Sequence, residues 1–431
     1  MQIQELYSLY LKHPSVQTDT RKIQKGDLFF ALKGPNFNGN TFAQQAIEKG
    51  AAYAIVDEAI STHESSNQII LVDDVLLTLQ ALARYHRQQF TIPFIAITGS
   101  NGKTTTKELV YAVLSTKYTT YTTQGNLNNH IGIPLTILSI QPNAEMAVIE
   151  MGANHQKEIA GYCTYVLPTH GIITNCGKAH LEGFGGVEGV RKGKGELFDY
   201  LSATNGTAFV NWDYDYFHAM STNIAHVVKY GTLTGDITGQ VISSEPFLNV
   251  QIQSGFESSF AINSQLVGAY NVANVLTAVI IGKYFGISIN LIQKAIEGYA
   301  PSNSRSQLIQ KDTNHIVLDA YNANPTSMKA AIENFAKLSA PKKVLLIGGM
   351  MELGEDSIVE HQAIASFIDN FTWEKVIFVG GDFQQIVTKQ PSIFFPSSLE
   401  AKSWYRQQLF TNTYLLIKGS RSMQMEKIIS D

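Results

Sequence analysis

The chain has 431 residues, 44% of them hydrophobic and 16% charged, with a formal net charge of −4. That length exceeds one ordinary core and predicts roughly two to four domains. The charge balance argues against a general nucleic-acid binder, whose contacts need a basic surface, so any phosphate binding must be local. Two cysteines, Cys163 and Cys176, form neither a disulfide framework nor a four-ligand zinc set and read as ordinary thiols. The N-terminus lacks the basic segment and apolar stretch of a secretory signal. No run approaches the ~18 apolar residues of a membrane span, so a cytoplasmic protein with no membrane span is expected.

Residues 1–90 hold the polar segment from Thr18 to Gly34, a helical run, and the short apolar strands Ala52–Val56 and Ile69–Val72, the pattern of a small α/β unit. The polar stretch Arg84–Pro93 reads as its boundary. Next comes the apolar strand Pro93–Ile97, a turn bracketed by Gly99 and Gly102, and a helical run from Lys103 to Ser115 with Leu109, Val110, Val113 and Leu114 at helical spacing. Strand, glycine turn and helix in this order suit a triphosphate cradle: amides of the turn converge on phosphate oxygens, Lys103 reaches the terminal phosphates, and the Thr104 hydroxyl joins a Mg2+ shell. The loop is Gly-x-x-Gly-Lys-Thr, with Ile97 where the general phosphate-loop pattern has glycine. An ordinary strand-to-helix turn is the bland alternative.

Apolar strands Ala147–Ile149 and Gly171–Thr174 then alternate with helices, as in a parallel sheet covered on both faces. Ligands in such sheets gather beyond the carboxyl ends of strands, which singles out Glu150, the segment from Asn175 to His180, and later Asp319. Glu150 is a hard oxygen ligand or a helix cap. His180 suits Mg2+ less well and on chemistry alone reads as a loop histidine. Arg191–Glu196 reads as a solvated charge cluster or a phosphate grip. Asn126–Asn129 and Asn322–Asn324 read as amides at turns.

Residues 206–265, rich in Thr, Ser, Gly and β-branched side chains, predict an antiparallel ribbon, and Ala269–Phe285 predicts a helix. A third unit begins near Pro301. Its strands Ile316–Leu318, Val344–Ile347, Val376–Val379 and Tyr414–Ile417, separated by helix-length segments, predict a Rossmann-like sheet. The segment Ile417–Met423 could bind a carboxylate or begin a helix. The expected division is 1–90, 91–300 and 301–431. On these residues alone the loop serves either an ATP-driven enzyme or a nucleotide-switched binding protein.

The segments Thr98–Thr105, Gly125–Asn129, Ile131–Leu135, Glu150–Ala153, Ala179–Phe184, Lys194–Glu196, Asp319–Pro325, Met351–Glu355 and Lys418–Arg421 together resemble the Mur ligases. These are the ATP-dependent amide-bond-forming enzymes of peptidoglycan precursor synthesis. The Tyr321–Pro325 and Met351–Glu355 segments are similar to the branch that adds D-alanyl-D-alanine. The Asp-Asn-Pro-Arg segment of the branch that adds a diamino acid, the rival inside the family, is not found.

The resemblance implies an α/β protein of three domains: an N-terminal UDP-substrate domain, a central P-loop ATPase domain with a parallel sheet plus antiparallel ribbon, and a C-terminal Rossmann-like domain. It implies a monomer acting on UDP-N-acetylmuramoyl-tripeptide and D-alanyl-D-alanine through an acyl phosphate. It puts Gly99, Ser100, Asn101, Gly102, Lys103, Thr104 and Thr105 on the ATP phosphates, Asn271 near adenine, and Arg305 and Asp319 on nucleotide phosphate and ribose. Thr104, Glu150, His180 and Lys194, the last carbamylated by CO2, would hold Mg2+, with Lys103, His180 and Lys194 central to catalysis. Thr18, Asp19, Thr20, Arg21, Lys33 and Gly34 would meet the UDP moiety, and Asn322 and Asn324 the substrate. Three positions depart from the family pattern: Tyr270 stands where histidine is expected, Arg305 lies in Asn-Ser-Arg-Ser, and Gly349 replaces an aspartate.

Overall fold

The structure is a computed structural model that describes residues 1–59, 67–302 and 304–430. It divides into two compact units. One comprises Met1–Ile97, Tyr118–Ala153 and Lys157–Gly171, the other Thr98–Lys117, Asn154–Gln156 and Ile172–Asp431.

In the first unit a four-stranded parallel sheet runs in the order Val16–Gln17, Leu28–Phe30, Tyr53–Val56, Ile69–Leu71. Phe29, Ala31, Ala43, Ala46 and Val56 form its core, where small side chains let the helix Ala43–Glu48 approach closely. The helix Val75–Arg87 starts at Asp74, whose carboxylate accepts from Leu77 N at 2.7 Å. Its end lies within the stretch expected to be a polar boundary, yet it is packed. Arg87 is 5% exposed and donates through Nε to Val166 O at 3.0 Å and through Nη2 to Leu167 O at 2.9 Å. Those carbonyls close the helix Glu158–Val166 and have no partner within it. A guanidinium there bonds them and complements the helix dipole, which is why a polar side chain is buried.

A nine-stranded sheet has the order Phe260–Asn263, Asn249–Ser254, Ile237–Ser243, His226–Gly231, Thr207–Asn211, His170–Ile173, Phe94–Thr98, Met146–Glu150, Thr120–Thr122. Phe94–Thr98 and Met146–Glu150 are parallel, with Ile97 in register with Glu150. The antiparallel ribbon is shorter than expected. Thr207–Asn211 and His226–Gly231 pair in parallel, and only Ile237–Asn263 turns antiparallel. Thr207–Asn211 is buried at all five positions, so its polar residues occupy a buried strand and mimic a ribbon in the sequence.

In the second unit a six-stranded sheet follows the order Gln307–Lys311, Asn314–Asp319, Tyr414–Lys418, Lys343–Gly348, Lys375–Val379, Ile393–Phe395. All its pairs are parallel except the first. Ile316, Leu318, Leu346, Ile377, Leu415 and Ile417 fill its core. The four strands expected beyond Pro301 are therefore present. Among the described residues no helix is long and apolar enough to cross a membrane.

Candidate active site

The glycine turn is held by steric demands that the sequence only hinted at. Gly99 has φ 141°, and a Cβ there would sit 2.0 Å from Thr174 Oγ1. No side chain fits. Thr174 Oγ1 donates to Asn101 O at 2.6 Å, Ser100 N donates to Asn175 O at 2.9 Å, and Asn101 N donates to Asn175 Oδ1 at 3.1 Å. The end of the strand His170–Ile173 and the residues after it thus pin the loop. Gly102, at φ 80°, starts the helix Lys103–Leu114, whose first amides have no partner inside the helix and lie at its positive end. Lys103 Nζ donates to Gly99 O at 2.6 Å and to Ser100 O at 3.2 Å, so its ammonium lies on the loop itself. Thr104 is buried and Thr105 half-buried.

Asn274 supports the turn from behind. A Cβ on Gly102 would come 2.7 Å from its Oδ1, which also accepts from Thr106 Oγ1 at 3.0 Å. Asn274 Nδ2 donates to Asn271 Oδ1 at 2.7 Å, and Asn271 Nδ2 donates to Val267 O at 2.9 Å. Both ends of the Asn271 amide, expected near adenine, are therefore bonded within the protein. Asn271 orients Asn274. The sequence carried a signal for Asn274 that was missed: two amides three residues apart at the start of the apolar helix Val272–Tyr284 share a face.

The residues after Asn175 reach the C-terminal segments of the same unit. Lys178 N donates to Thr326 Oγ1 at 3.0 Å, and Lys178 Nζ pairs with the Glu360 carboxylate. His180 has φ 51°, and its Nδ1 pairs with the carboxylate of Glu352, itself at φ 61°. The bond to His180 holds the Glu352 carboxyl below the usual carboxylate range. On the helix Val187–Ala203 the charge cluster divides. Arg191 pairs with exposed Glu188 at 2.7 Å, whereas Lys194 is 1% exposed with its ammonium 4.7 Å over the Phe184 ring. A Cβ at Gly193 would be 2.5 Å from Phe184 Cε1, so the glycine beside Lys194 lets that ring approach. The solvated-face reading fails for Lys194.

Asp319 takes Lys418 Nζ on Oδ2 at 2.5 Å and Ser306 N on Oδ1 at 3.2 Å. Lys418, read as a carboxylate binder or helix start, is thus committed to a carboxylate of its own chain. Arg305 lies with Cζ 3.6 Å over the Tyr321 ring; Asn303 is outside the described residues. Asn324 caps the helix Pro325–Lys337 through Oδ1, which accepts from Ser327 N at 2.9 Å, and donates from Nδ2 to Asn101 Oδ1 at 2.7 Å. Asn322 Oδ1 accepts from Ala323 N at 2.8 Å. Two departures from the family pattern meet: the Tyr270 hydroxyl bonds Ser306 Oγ at 2.9 Å, and burial pushes that hydroxyl well above its usual range. The third has a steric cause, since a Cβ at Gly349 would lie 2.7 Å from Gly381 Cα.

In the first unit Glu150 ends the strand Met146–Glu150, is 1% exposed, and accepts from Asn128 Nδ2 at 2.8 Å. The positions expected near UDP also lie here. Thr18 follows the strand Val16–Gln17, Lys49 Nζ donates to Thr20 O at 3.0 Å, and Gly34 pairs with Phe37 in a short hairpin. Asp19 pairs with Arg21 at 2.7 Å, and the bonds from Arg21 hold its carboxyl well below the usual range. Lys33 Nζ is 3.0 Å from Asp57 Oδ1 and 3.3 Å from Glu58 Oε1. Both cations already face carboxylates, so a pyrophosphate would have to compete for them.

Among the described residues no three His, Cys, Asp or Glu side chains gather as a protein-only metal cage. Mg2+ at nucleotide sites typically takes one or two carboxylates with phosphate oxygens and water. In the first unit Glu150 is a carboxylate donor of that kind.

A parallel strand, a glycine turn and a helix beginning Lys-Thr-Thr define a P-loop nucleotide-binding protein. Residues 14–87, 97–282 and 304–421 match, in turn, the Mur ligase family catalytic domain, the Mur ligase middle domain and the Mur ligase glutamate ligase domain. The chain is 35% identical to the UDP-N-acetylmuramoyl-tripeptide–D-alanyl-D-alanine ligase of Bacillus subtilis, over 96% of this chain and 92% of that one. Its fold matches a crystal structure of MurF from Acinetobacter baumannii with a TM-score of 0.87 and 31% identity, covering 96% of this chain and 92% of that one. It also matches MurF from Thermotoga maritima in complex with ADP, with a TM-score of 0.86, 26% identity and 97% coverage of both chains. The chain belongs to the Mur ligase family.

Proposed function

We propose that this protein joins D-alanyl-D-alanine to UDP-N-acetylmuramoyl-tripeptide with ATP, giving UDP-N-acetylmuramoyl-pentapeptide, ADP and phosphate. The observation that carries the use of a nucleotide is the turn from Gly99 to Gly102, with both glycines at positive φ and a helix starting at Lys103; the reaction class rests on the ligase family. The substrates rest on similarity along nearly the whole chain to ligases named for that reaction.

A carboxylate at neutral pH is a poor electrophile and needs a better leaving group before an amine can displace it. One oxygen of the tripeptide's terminal carboxylate attacks the γ-phosphorus, and ADP departs. The amine of D-alanyl-D-alanine then attacks the acyl carbon, phosphate leaves with that carboxylate oxygen, and the new amide nitrogen loses a proton. Two anions must meet in the first step, so positioning and charge neutralisation dominate.

Residues 99–105 hold the phosphates, and Lys103 exchanges its bonds to Gly99 O and Ser100 O for phosphate oxygens. Thr104, Glu150, His180 and Lys194, the last as a carbamate formed from its amine and CO2, would hold Mg2+, which when bound would supply charge neutralisation for phosphoryl transfer. The burial of Lys194 supports its assignment, because it takes the side chain off the solvated face of its helix and into the fold. Arg305, Asp319 and Asn271 serve the nucleotide, the last through Asn274. Thr18–Arg21 with Lys33 and Gly34 meet the UDP moiety, and Asn322 and Asn324 the substrate end. The domain limits are 1–90, 91–300 and 301–431, and the protein acts as a cytoplasmic monomer with small-molecule partners and no nucleic acid.

The test is phosphate release from ATP and Mg2+ with each substrate alone and with both. Release should need both; release indifferent to D-alanyl-D-alanine overturns the reading.

A further inference from the structure

His180 Nδ1 lies against the Glu352 carboxylate, although 172 positions separate the two residues in the chain. The Glu352 side chain is half-exposed, on a segment that is otherwise packed. Met350 and Leu353 on either side are 2% and 3% exposed, and Met350 N donates to His361 Nε2 at 3.0 Å. A Cβ at Gly354 would come 3.3 Å from Glu182 Cβ, so this segment also packs on the short helix that follows His180. Glu352 itself adopts φ 61°, a backbone region costly for a side-chain-bearing residue. The loop before His180 is tied to C-terminal segments through Thr326 and Glu360 as well.

We propose that Glu352 is the positioning residue of His180. Its carboxylate accepts a hydrogen bond from Nδ1–H and thereby fixes the tautomer in which Nε2 carries the lone pair offered to a divalent cation. Metal-ligating histidines commonly donate their other ring N–H to a carboxylate, which sets both ring orientation and basicity. Here that carboxylate comes from the C-terminal part of the chain, so His180 is prepared for metal only while that part is docked. This rests on the assignment of His180 to the metal.

The full-length protein, with Glu352→Ala, Glu352→Gln and His180→Ala, can be titrated with Mn2+ in the presence of β,γ-imido ATP and read by electron paramagnetic resonance. Metal-free 15N spectra of the imidazoles report the His180 tautomer independently. Glu352→Ala should weaken Mn2+ binding by about 10- to 100-fold and mix the His180 tautomers, while metal-free nucleotide affinity stays within about twofold; Glu352→Gln, whose Oε1 still accepts a hydrogen bond, should lose less. A Glu352→Ala protein with wild-type tautomer, or with wild-type Mn2+ affinity where His180→Ala loses it, overturns the proposal. If His180→Ala binds Mn2+ as the wild type does, the metal assignment of His180 fails, and the proposal with it, even where the tautomer still follows Glu352.

Discussion

The phosphate loop and the C-terminal segments that meet it are built by opposite rules. The loop is local: two glycines, a lysine and two threonines within the seven positions 99–105 set its shape, and Thr174 and Asn274 close the space around it. The C-terminal contribution is assembled from distant single residues, with Asn324 on Asn101, Glu352 on His180 and Glu360 on Lys178. A local device should fail outright when its geometry is broken. A distributed one should lose function in increments, because each contact is one of several.

The largest effect is expected at Gly99. Gly99→Ala places a Cβ inside contact distance of Thr174 at a φ that disfavours any side chain, so nucleotide binding and ATP turnover should fall by at least about 100-fold, with Tm lowered by several degrees. Nucleotide titration and thermal unfolding measure both, and near-normal binding would show that the loop is not under this constraint. Next is Lys194→Ala, expected to reduce turnover by about 1,000-fold, on the order of losing one preorganised charged group. Added short carboxylates should restore part of the rate if a carbamate is the working group, and full turnover without them sinks that assignment.

The distributed side is tested by Asn324→Ser. Serine still caps the helix Pro325–Lys337 but cannot reach Asn101, so about 1 kcal/mol, or roughly a fivefold rise in KM for ATP, is expected with Tm nearly unchanged. A loss as large as that of Gly99→Ala would erase the distinction between the two regions.

A pH scan sets a baseline outside both. Burial pushes the His170 imidazole down to about 4, against 6.5 when unfolded. The unfolded chain therefore binds the proton first, so this contribution is complete above about 6.5 and is lost as pH falls toward about 4. His170→Gln should flatten the acid limb of Tm against pH; an unchanged limb assigns it elsewhere. The smallest effect is expected for Asp19→Asn, since the pair with Arg21 is exposed: Tm should not move, while KM for the UDP substrate should change if Asp19 lies at that site.

What the sequence disclosed follows the same division. The strands, the helix after Gly102 and the loop were legible because each is written in adjacent residues with a fixed period. The burial of Arg87 was not, because nothing in Arg84–Pro93 reveals that the carbonyls of Val166 and Leu167, unbonded within their own helix, take its guanidinium. Lys194 read as surface charge because glycine neighbours say nothing about a ring packed on them. Tyr270 and the Asn-Ser-Arg-Ser context of Arg305 looked like separate departures, and only the fold shows that Tyr270 bonds Ser306. Asn271 was selected from the family pattern, whereas its bonds make Asn274 the residue against the loop.

The central claim is transfer of a phosphoryl group to the peptide carboxylate before the amide forms. UDP-N-acetylmuramoyl-tripeptide labelled with 18O in its terminal carboxylate, turned over with ATP and D-alanyl-D-alanine, tests it directly. The account predicts that each phosphate released carries one oxygen from that carboxylate. Unlabelled phosphate accompanying pentapeptide formation would contradict it.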